Sequence, residues 1–158
     1  MSDPHDRLRE LGLKLPAPPA PVASYVPTVL VHIGSGLSLL YISGQVSVHE
    51  GRRLTGRCPD EVSIEDGQAA ARVCAMNLLA QMEAAAGLAN VMKVVQLTGF
   101  VLSTDDFADQ PKVLNGASDL LVEVLGDAGR HTRLALGANA LPFSVTVEIA
   151  AVAVVRAS

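Results

Sequence analysis

The sequence predicts an α+β fold in which two helices cover one face of a mixed β-sheet, with the order β-β-α-β-α-β-β. Two segments carry apolar residues at three- and four-residue steps, as helices do, and five shorter runs are rich in aliphatic residues. With 158 residues the chain has the size of one domain. We therefore treat 1–158 as a single domain, in which 1–23 form an N-terminal helix and a proline-rich extension.

The first elements are a short helix, a connector and a hairpin. The stretch "DRLRELG" is typical of a helix ending at Gly12, and "KLPAPPAPVA" of an extended connector. Thr28–Gly34 and Leu37–Gly44 predict two strands that turn through Gly34-Ser35-Gly36. The polar stretch 46–62, with "HEGRRLTGR", indicates a solvated loop rather than an anion site.

The middle of the chain predicts a helix, a strand and a second helix. Ser63 can cap a helix that runs to about Ala86, where Gly87 supplies a stop. The run 91–103 predicts a strand with a kink at Gly99. The second helix should begin near Pro111, because a missing N–H costs nothing there.

The last strand predicts self-association. We expect two final strands, joined around Leu141-Pro142, and the second of them is apolar on both faces. Two helices cover only one face of a sheet, so the other face needs a second layer. The chain has no element left to supply it, and another copy of the chain is the expected cover.

Arg133 and Glu148 are the charges that interrupt this apolar C-terminal region. If its two strands form a hairpin centred on Ala140-Leu141, the two side chains lie opposite each other on one face. One interpretation, favoured on these facts alone, is a structural cross-strand ion pair. The other is a pocket floored by Ala135 and Gly137, in which the guanidinium grips a carboxylate and Glu148, kept ionised by the cation, positions a water molecule.

Composition excludes several classes of function. A net charge of −4 with 3% aromatic residues argues against nucleic acid binding. No apolar run reaches the ~20 residues that a membrane span needs. Cys58 and Cys74 have no metal-binding spacing, and the acidic stretch "STDDFADQ" is typical of a helix start rather than a metal site. A soluble, reduced, cytoplasmic protein without a metal is expected.

Four fragments in order carry a family resemblance: "SYVP", "LYISGQV", "KVVQLTGFVLSTDDFADQPKVLNGASDLLVEVLG", and an Arg-to-LP-to-Glu spacing that runs from Arg133 to Glu148. Together they resemble the RidA/YjgF (L-PSP, reactive intermediate deaminase) family over nearly the whole chain, and in particular its longer branch of about 150 residues. The resemblance implies a chorismate mutase-like homotrimer, with helices outside, sheets lining an inner barrel, and active sites in the clefts between subunits.

The resemblance also implies an activity and the residues that perform it. Family members hydrolyse reactive enamines and imines, such as 2-imino acids, to keto acids and ammonia without a cofactor. Carried over by position, Arg133 binds the substrate carboxylate and Glu148 orients the water. The other site positions are Tyr25, Ser43, Gly44, Asn115, which is contributed across the cleft, and Ala135, which replaces a common cysteine and enlarges the pocket or changes its preference.

Two alternatives stay open, and one nearby residue is set aside. A non-catalytic regulatory or chaperone-like trimer could bind small carboxylates in the same cleft. An endoribonuclease ranks last, because the acidic chain has no basic stripe and no histidine pair for RNA cleavage. His131, two residues before Arg133, is interpreted as a solvated histidine at a strand end.

Overall fold

The computed structural model describes residues 3–21 and 23–156. In chain order the elements are α1 (Pro4–Glu10), β1 (Thr28–Gly34), β2 (Leu37–Val46), β3 (Val48–His49), β4 (Arg52–Arg53), α2 (Ile64–Ala86), β5 (Val91–Leu102), α3 (Gln110–Leu125), β6 (Thr132–Ala138) and β7 (Val147–Arg156). Five strands form a mixed sheet of order β1-β2-β7-β5-β6, and β3 and β4 form a separate two-stranded hairpin.

The α2 and α3 helices pack against one face of the sheet, as expected. Along β7, the buried residues Val147, Ile149 and Ala151 alternate with half-buried Glu148 and Ala150. Strand side chains alternate between faces, so the buried set lies under the helices. The opposite side of the sheet, which no helix covers, is called the open face below.

The ends of α2 follow the cap residues read from the sequence. The Ser63 hydroxyl accepts a hydrogen bond from Asp66 N–H at 3.0 Å, and the helix ends at Gly87, whose φ is +79°. The N-terminal helix was expected to start at Asp6. It begins two residues earlier, because Asp3 caps it by accepting from the His5 N–H at 2.7 Å.

The polar stretch 46–62 is not wholly a loop, since it contains the β3–β4 hairpin. A buried amide holds this hairpin against the main sheet. The Asn77 Nδ2 donates to Val46 O at 3.1 Å and to Val48 O at 3.0 Å. These bonds join α2 to the backbone at the point where β2 ends and β3 begins.

The expected hairpin between the last two strands is wrong. The β5 strand lies between β6 and β7, parallel to β6 and antiparallel to β7. The β5–α3–β6 segment is a β-α-β unit, in which a helix returns the chain to a parallel neighbour. Residues 139–146 then carry the chain past β5 to its other edge.

Gly99 does not kink β5, contrary to expectation. The register irregularities of β5 lie between Val91 and Lys93 and between Val94 and Gln96. At Gly99, a side-chain Cβ would come within 2.3 Å of Leu114 Cδ1. The glycine therefore makes room for a buried α3 leucine.

The open face carries a broad apolar surface in the single chain. Its exposed large residues come from four strands: Val29 and Val31 in β1, Tyr41 in β2, Val95 in β5, and Leu134 and Leu136 in β6. An apolar patch of this extent marks an interaction surface. This exposed apolar surface is the physical reason to expect that a second copy of the chain covers the open face. Within the described chain, no helix has the length and apolar character that a membrane span requires.

Candidate functional site

Arg133 and Glu148 lie on opposite faces of the sheet. Arg133 is aligned with Leu97, which is 1% exposed beneath the helices, whereas Glu148 is aligned with Phe100 on the open face. Aligned residues of neighbouring strands project to the same side. The cross-strand ion pair considered from the sequence is therefore absent, and among the described residues neither side chain forms any ion pair.

Glu148 is a half-buried carboxylate that accepts no hydrogen bond from a described residue. No fully buried side-chain polar atom in the described chain lacks a partner, so the Glu148 oxygens reach solvent. Burial raises the pKa of this carboxyl above its ordinary value. The expectation that a neighbouring cation keeps it ionised is wrong for the single chain, because Arg133 is on the other face.

Gly44 has no side chain and so leaves room for the Glu148 carboxylate. A Cβ at this position would stand 2.2 Å from Glu148 Oε1 and 3.0 Å from Glu148 Cδ. Both distances are too short for ordinary contact, so a larger residue would push the carboxylate aside. Close packing against Glu148 thus explains why the middle residue of "SGQ" is glycine, which the sequence alone did not indicate.

Glu148 and Gly44 open onto a cavity of about 1120 Å³, called the Glu148 cavity here. Its lining includes Tyr25 and Pro27, part of α2, the β3–β4 hairpin, and the N-terminal extension between Gly12 and Pro21. The Gln81 Nε2 on α2 donates to Pro19 O at 2.7 Å and so holds the extension in place. The lining is mainly apolar and proline-rich.

Ser43 supports the wall rather than facing a ligand in the single chain. Its hydroxyl donates to Val26 O at 2.8 Å and its N–H donates to Pro27 O at 2.9 Å. These two bonds fix the segment that carries Tyr25, whose side chain is 45% exposed beside the cavity. A direct role of the Ser43 hydroxyl toward substrate stays a prediction.

Arg133 is fixed on the other face by three acceptors in α3. Its Nη1 donates to Asn115 Oδ1 at 3.1 Å and to Ser118 Oγ at 3.0 Å, and its Nη2 donates to Pro111 O at 3.1 Å. None of these bonds uses the Nε–H. The half-buried guanidinium is thus held in one orientation, and two of its five N–H groups can still donate to a ligand.

Ala135 lies beside this cluster. It is two residues along β6 from Arg133, on the same face, aligned with Gly99 and partly buried against the core. The structure therefore divides the site residues into two groups. Arg133, Asn115 and Ala135 form the Arg133 group, and Tyr25, Ser43, Gly44 and Glu148 form the Glu148 group. One protomer does not bring the two groups together.

Two residues next to Arg133, Ser118 and His131, were not assigned to the site from the sequence. His131 Nε2 lies 2.9 Å from Ser118 Oγ, and its Nδ1 lies 2.6 Å from Gly129 O. The interpretation of His131 as a solvated histidine is wrong, because the ring is half-buried between these partners. Spacing could have indicated both: His131 lies two residues before Arg133, directly before β6 begins, and Ser118 follows Asn115 by three on a helix.

The acidic stretch before α3 is held by local partners. Asp106 accepts from the Thr104 hydroxyl at 2.8 Å, and Asp109 pairs with Lys112 at 3.0 Å. Throughout residues 3–21 and 23–156, no three histidine, cysteine or acidic side chains gather as a set of metal ligands.

Known proteins resemble the chain along almost its whole length. Residues 5–153 match the family described as "YjgF/chorismate mutase-like, putative endoribonuclease". Protein TCP17 of Trypanosoma cruzi is 43% identical over 145 residues, which cover 90% of this chain and 88% of that protein.

Three solved structures bear on the fold and the site. Protein Atu1372 of Agrobacterium tumefaciens is 42% identical, with a TM-score of 0.84 over 96% of this chain and 92% of its own. A candidate endoribonuclease of Shewanella oneidensis is 31% identical, with a TM-score of 0.87 over 96% of this chain and 99% of its own. TdcF of E. coli, solved with bound serine, is 26% identical, with a TM-score of 0.57 over 88% of this chain and 93% of its own. The sequence match and the shared fold together place this chain in the YjgF/chorismate mutase-like family.

Proposed function

We propose that the protein is a hydrolytic deaminase that converts reactive 2-imino acids and their enamines to 2-keto acids and ammonia. The observation that carries the proposal is the half-buried Glu148 carboxylate, which faces a cavity beside Gly44 and has no hydrogen-bonding partner among the described residues. Burying a carboxylate without a hydrogen-bonding partner lowers the stability of the fold. A role in function therefore explains the presence of Glu148 better than a role in stability does.

The proposed site combines the Glu148 group of one protomer with the Arg133 group of another, in a homotrimer. Within one protomer the two groups lie on opposite faces, and the open face carries exposed apolar residues that a second copy would cover. The E. coli relative with bound serine supports a ligand of this type. Serine, like a 2-imino acid, carries a carboxylate next to a carbon that bears nitrogen.

The chemistry follows from the two groups. Arg133 would hold the substrate carboxylate by charge-assisted hydrogen bonds, which fixes the neighbouring imine carbon. Glu148 would accept a proton from the water that attacks this carbon, forming a carbinolamine. The imine reacts with its nitrogen protonated, so Glu148 would next return the same proton to the amino nitrogen of the carbinolamine. The C–N bond would then break to release ammonia, and the hydroxyl proton would pass to Glu148 as the carbonyl forms. A raised pKa suits this role, because a base works best when its pKa is near the working pH.

The surroundings fit a small substrate and need no cofactor for hydrolysis. Ala135 leaves room beside Arg133, and the Glu148 cavity extends away from the carboxylate along apolar walls. Cys58 and Cys74 are both unpaired and buried. Free thiols suit a reducing compartment, and we therefore place this activity in the cytoplasm.

A second candidate is a non-catalytic regulatory or chaperone-like trimer that binds small carboxylates, because the serine-bound relative demonstrates binding rather than turnover. Both candidates require Arg133, but only catalysis requires Glu148. The endoribonuclease activity in the names of relatives ranks third, because the chain has a net charge of −4.

The test is ammonia release from 2-imino acids generated in place by an amino acid oxidase, followed over several amino acids. We expect Arg133→Ala and Glu148→Gln each to lower kcat/KM by at least about a hundredfold, since each removes a group that contacts the reacting molecule. Asp119→Asn in α3, which removes an exposed carboxylate outside the lining of the Glu148 cavity, is the matched control and should retain full activity.

Equal rates for wild type and Arg133→Ala would refute the proposal. Loss of turnover in Glu148→Gln, with pyruvate binding retained, would separate catalysis from binding alone. Turnover undiminished in Glu148→Gln would remove the assigned base.

A further inference from the structure

We propose that Ser118 and His131 are positioning residues, which orient the Arg133 guanidinium through a hydroxyl relay and make its grip on a carboxylate depend on pH. The inference rests on the proposed function, because it gives Arg133 the role of carboxylate clamp. It adds two residues that touch neither the substrate nor Glu148.

The direction of each hydrogen bond follows from the chemistry of the groups. A guanidinium has no acceptor, so the Ser118 hydroxyl oxygen accepts from Arg133 Nη1 at 3.0 Å. The single hydroxyl proton is then available for His131 Nε2 at 2.9 Å. This arrangement requires Nε2 to be unprotonated and puts the ring proton on Nδ1, which donates to Gly129 O at 2.6 Å.

The surroundings favour this neutral imidazole. The charged groups that act on His131 are Arg133, two residues further along the chain in β6, and Lys93 on β5, and both are cations. Burial and these two charges lower the pKa of His131, while its bond to Gly129 O opposes the shift. Gly129 contributes only its carbonyl, and Ser118 is uncharged.

Protonation of His131 would break the relay. The imidazolium would donate from both nitrogens, so the Ser118 hydroxyl would have to accept from His131 and from Arg133 at once. The proton of the Ser118 hydroxyl would lose its acceptor, and the imidazolium would be a second cation beside the Arg133 guanidinium. We expect Arg133 to leave its fixed orientation as His131 becomes charged.

Orientation matters because a guanidinium binds a carboxylate best through two parallel N–H groups. Ser118, Asn115 and Pro111 accept from three of the five N–H groups and leave the Nε–H and one Nη2–H for a ligand. Fixing the fork before the ligand arrives reduces the entropy lost on binding. Loss of one anchor should therefore weaken binding more than it slows chemistry.

The first arm of the test compares Ser118→Ala, Ser118→Thr and wild type, in imino acid turnover and in pyruvate binding by calorimetry. We expect Ser118→Ala to raise KM and the pyruvate Kd about tenfold and to change kcat less than about threefold, while Ser118→Thr restores the hydroxyl and most of the affinity. Asp119→Asn on the same helix, at an exposed position, is the control and should match wild type in both measurements.

The second arm measures the pyruvate Kd against pH, from 4.5 to 8, in a Glu148→Gln background, so that titration of the Glu148 carboxyl, whose pKa is raised, does not contribute. We expect binding to weaken on the acid side, with a midpoint below the ordinary histidine pKa of ~6.5. His131→Gln in the same background should remove this acid limb. Melting temperature and oligomeric size, measured in parallel, identify any variant that fails to fold.

The outcomes separate the two proposals. If Arg133→Ala binds pyruvate as wild type does, both the clamp and its positioning are refuted. If Arg133→Ala loses binding while Ser118→Ala and His131→Gln keep wild-type affinity and pH dependence, the clamp stands and the positioning inference is wrong.

Discussion

Gly44 and Glu148 approach each other so closely that the absence of one Cβ atom determines where the carboxylate lies. The missing atom would stand 2.2 Å from Glu148 Oε1. The backbone at Gly44 is thus one side of the space in which the carboxylate sits, and Glu148 is directed into the cavity rather than against β2.

This contact predicts the behaviour of Gly44→Ala. The added methyl group should displace the carboxylate and lower kcat by at least about tenfold, since ångström-scale misplacement of a reacting group is costly. The check is a double-mutant cycle with Glu148→Ala. In the Glu148→Ala background, Gly44→Ala should have little further effect, and additive losses would mean that Gly44 acts by another route.

A site shared between protomers predicts complementation. Arg133→Ala and Glu148→Gln should each be inactive alone, but co-refolded mixtures should recover activity. With random assembly at equal amounts, about one cleft in four combines a wild-type Arg133 with a wild-type Glu148 from a neighbour. Ammonia release near a quarter of the wild-type rate would support this arrangement, whereas no recovery in verified mixed oligomers would contradict it.

The pKa of Glu148 predicts how stability changes with pH. Because the folded-state pKa is raised, the folded protein binds this proton more tightly than the unfolded chain does. The favourable contribution is complete below the unfolded pKa and is lost as pH rises through the folded one. Urea unfolding should find Glu148→Gln more stable than wild type at pH 7 and equal to it near pH 4. A difference independent of pH would exclude ionisation as the cause.

The apolar open face predicts the effect of a charge placed within it. Leu134 is 49% exposed in the single chain and should be covered in the oligomer. Leu134→Glu would bury an unpaired carboxylate there, so we expect dissociation to monomers in sedimentation or light scattering. Leu11→Glu is the matched control, because Leu11 is 41% exposed at the end of α1, away from the sheet. Unchanged size in Leu134→Glu would place the interface elsewhere.

Local signals in the sequence were sufficient for most elements. Ser63 and Gly87 define α2 because caps act within one turn, and the turn glycines at 34 and 36 define the first hairpin. The small β3–β4 hairpin was missed, because its strands have two residues each and depend on Asn77, which is distant in sequence.

Strand order was the part that local patterns could not decide. Adjacency in sequence favoured a hairpin of β6 and β7, yet β6 pairs with β5 through the crossover helix α3. The faces of Arg133 and Glu148 depend on that order, so the sequence alone misplaced the two side chains relative to each other. The Ser118–His131 relay needed coordinates for the same reason, since it joins a helix to a strand.

The β1 strand is exposed on both sides along most of its length, from Val29 to Gly34. An uncovered, aliphatic sheet edge readily recruits further strands from other molecules. If the proposed oligomer covers this edge, a newly made protomer is prone to aggregate until it assembles, and the rate of assembly should limit the soluble yield. When synthesis is faster than assembly, we expect the excess protein to form inclusion bodies rather than active protein.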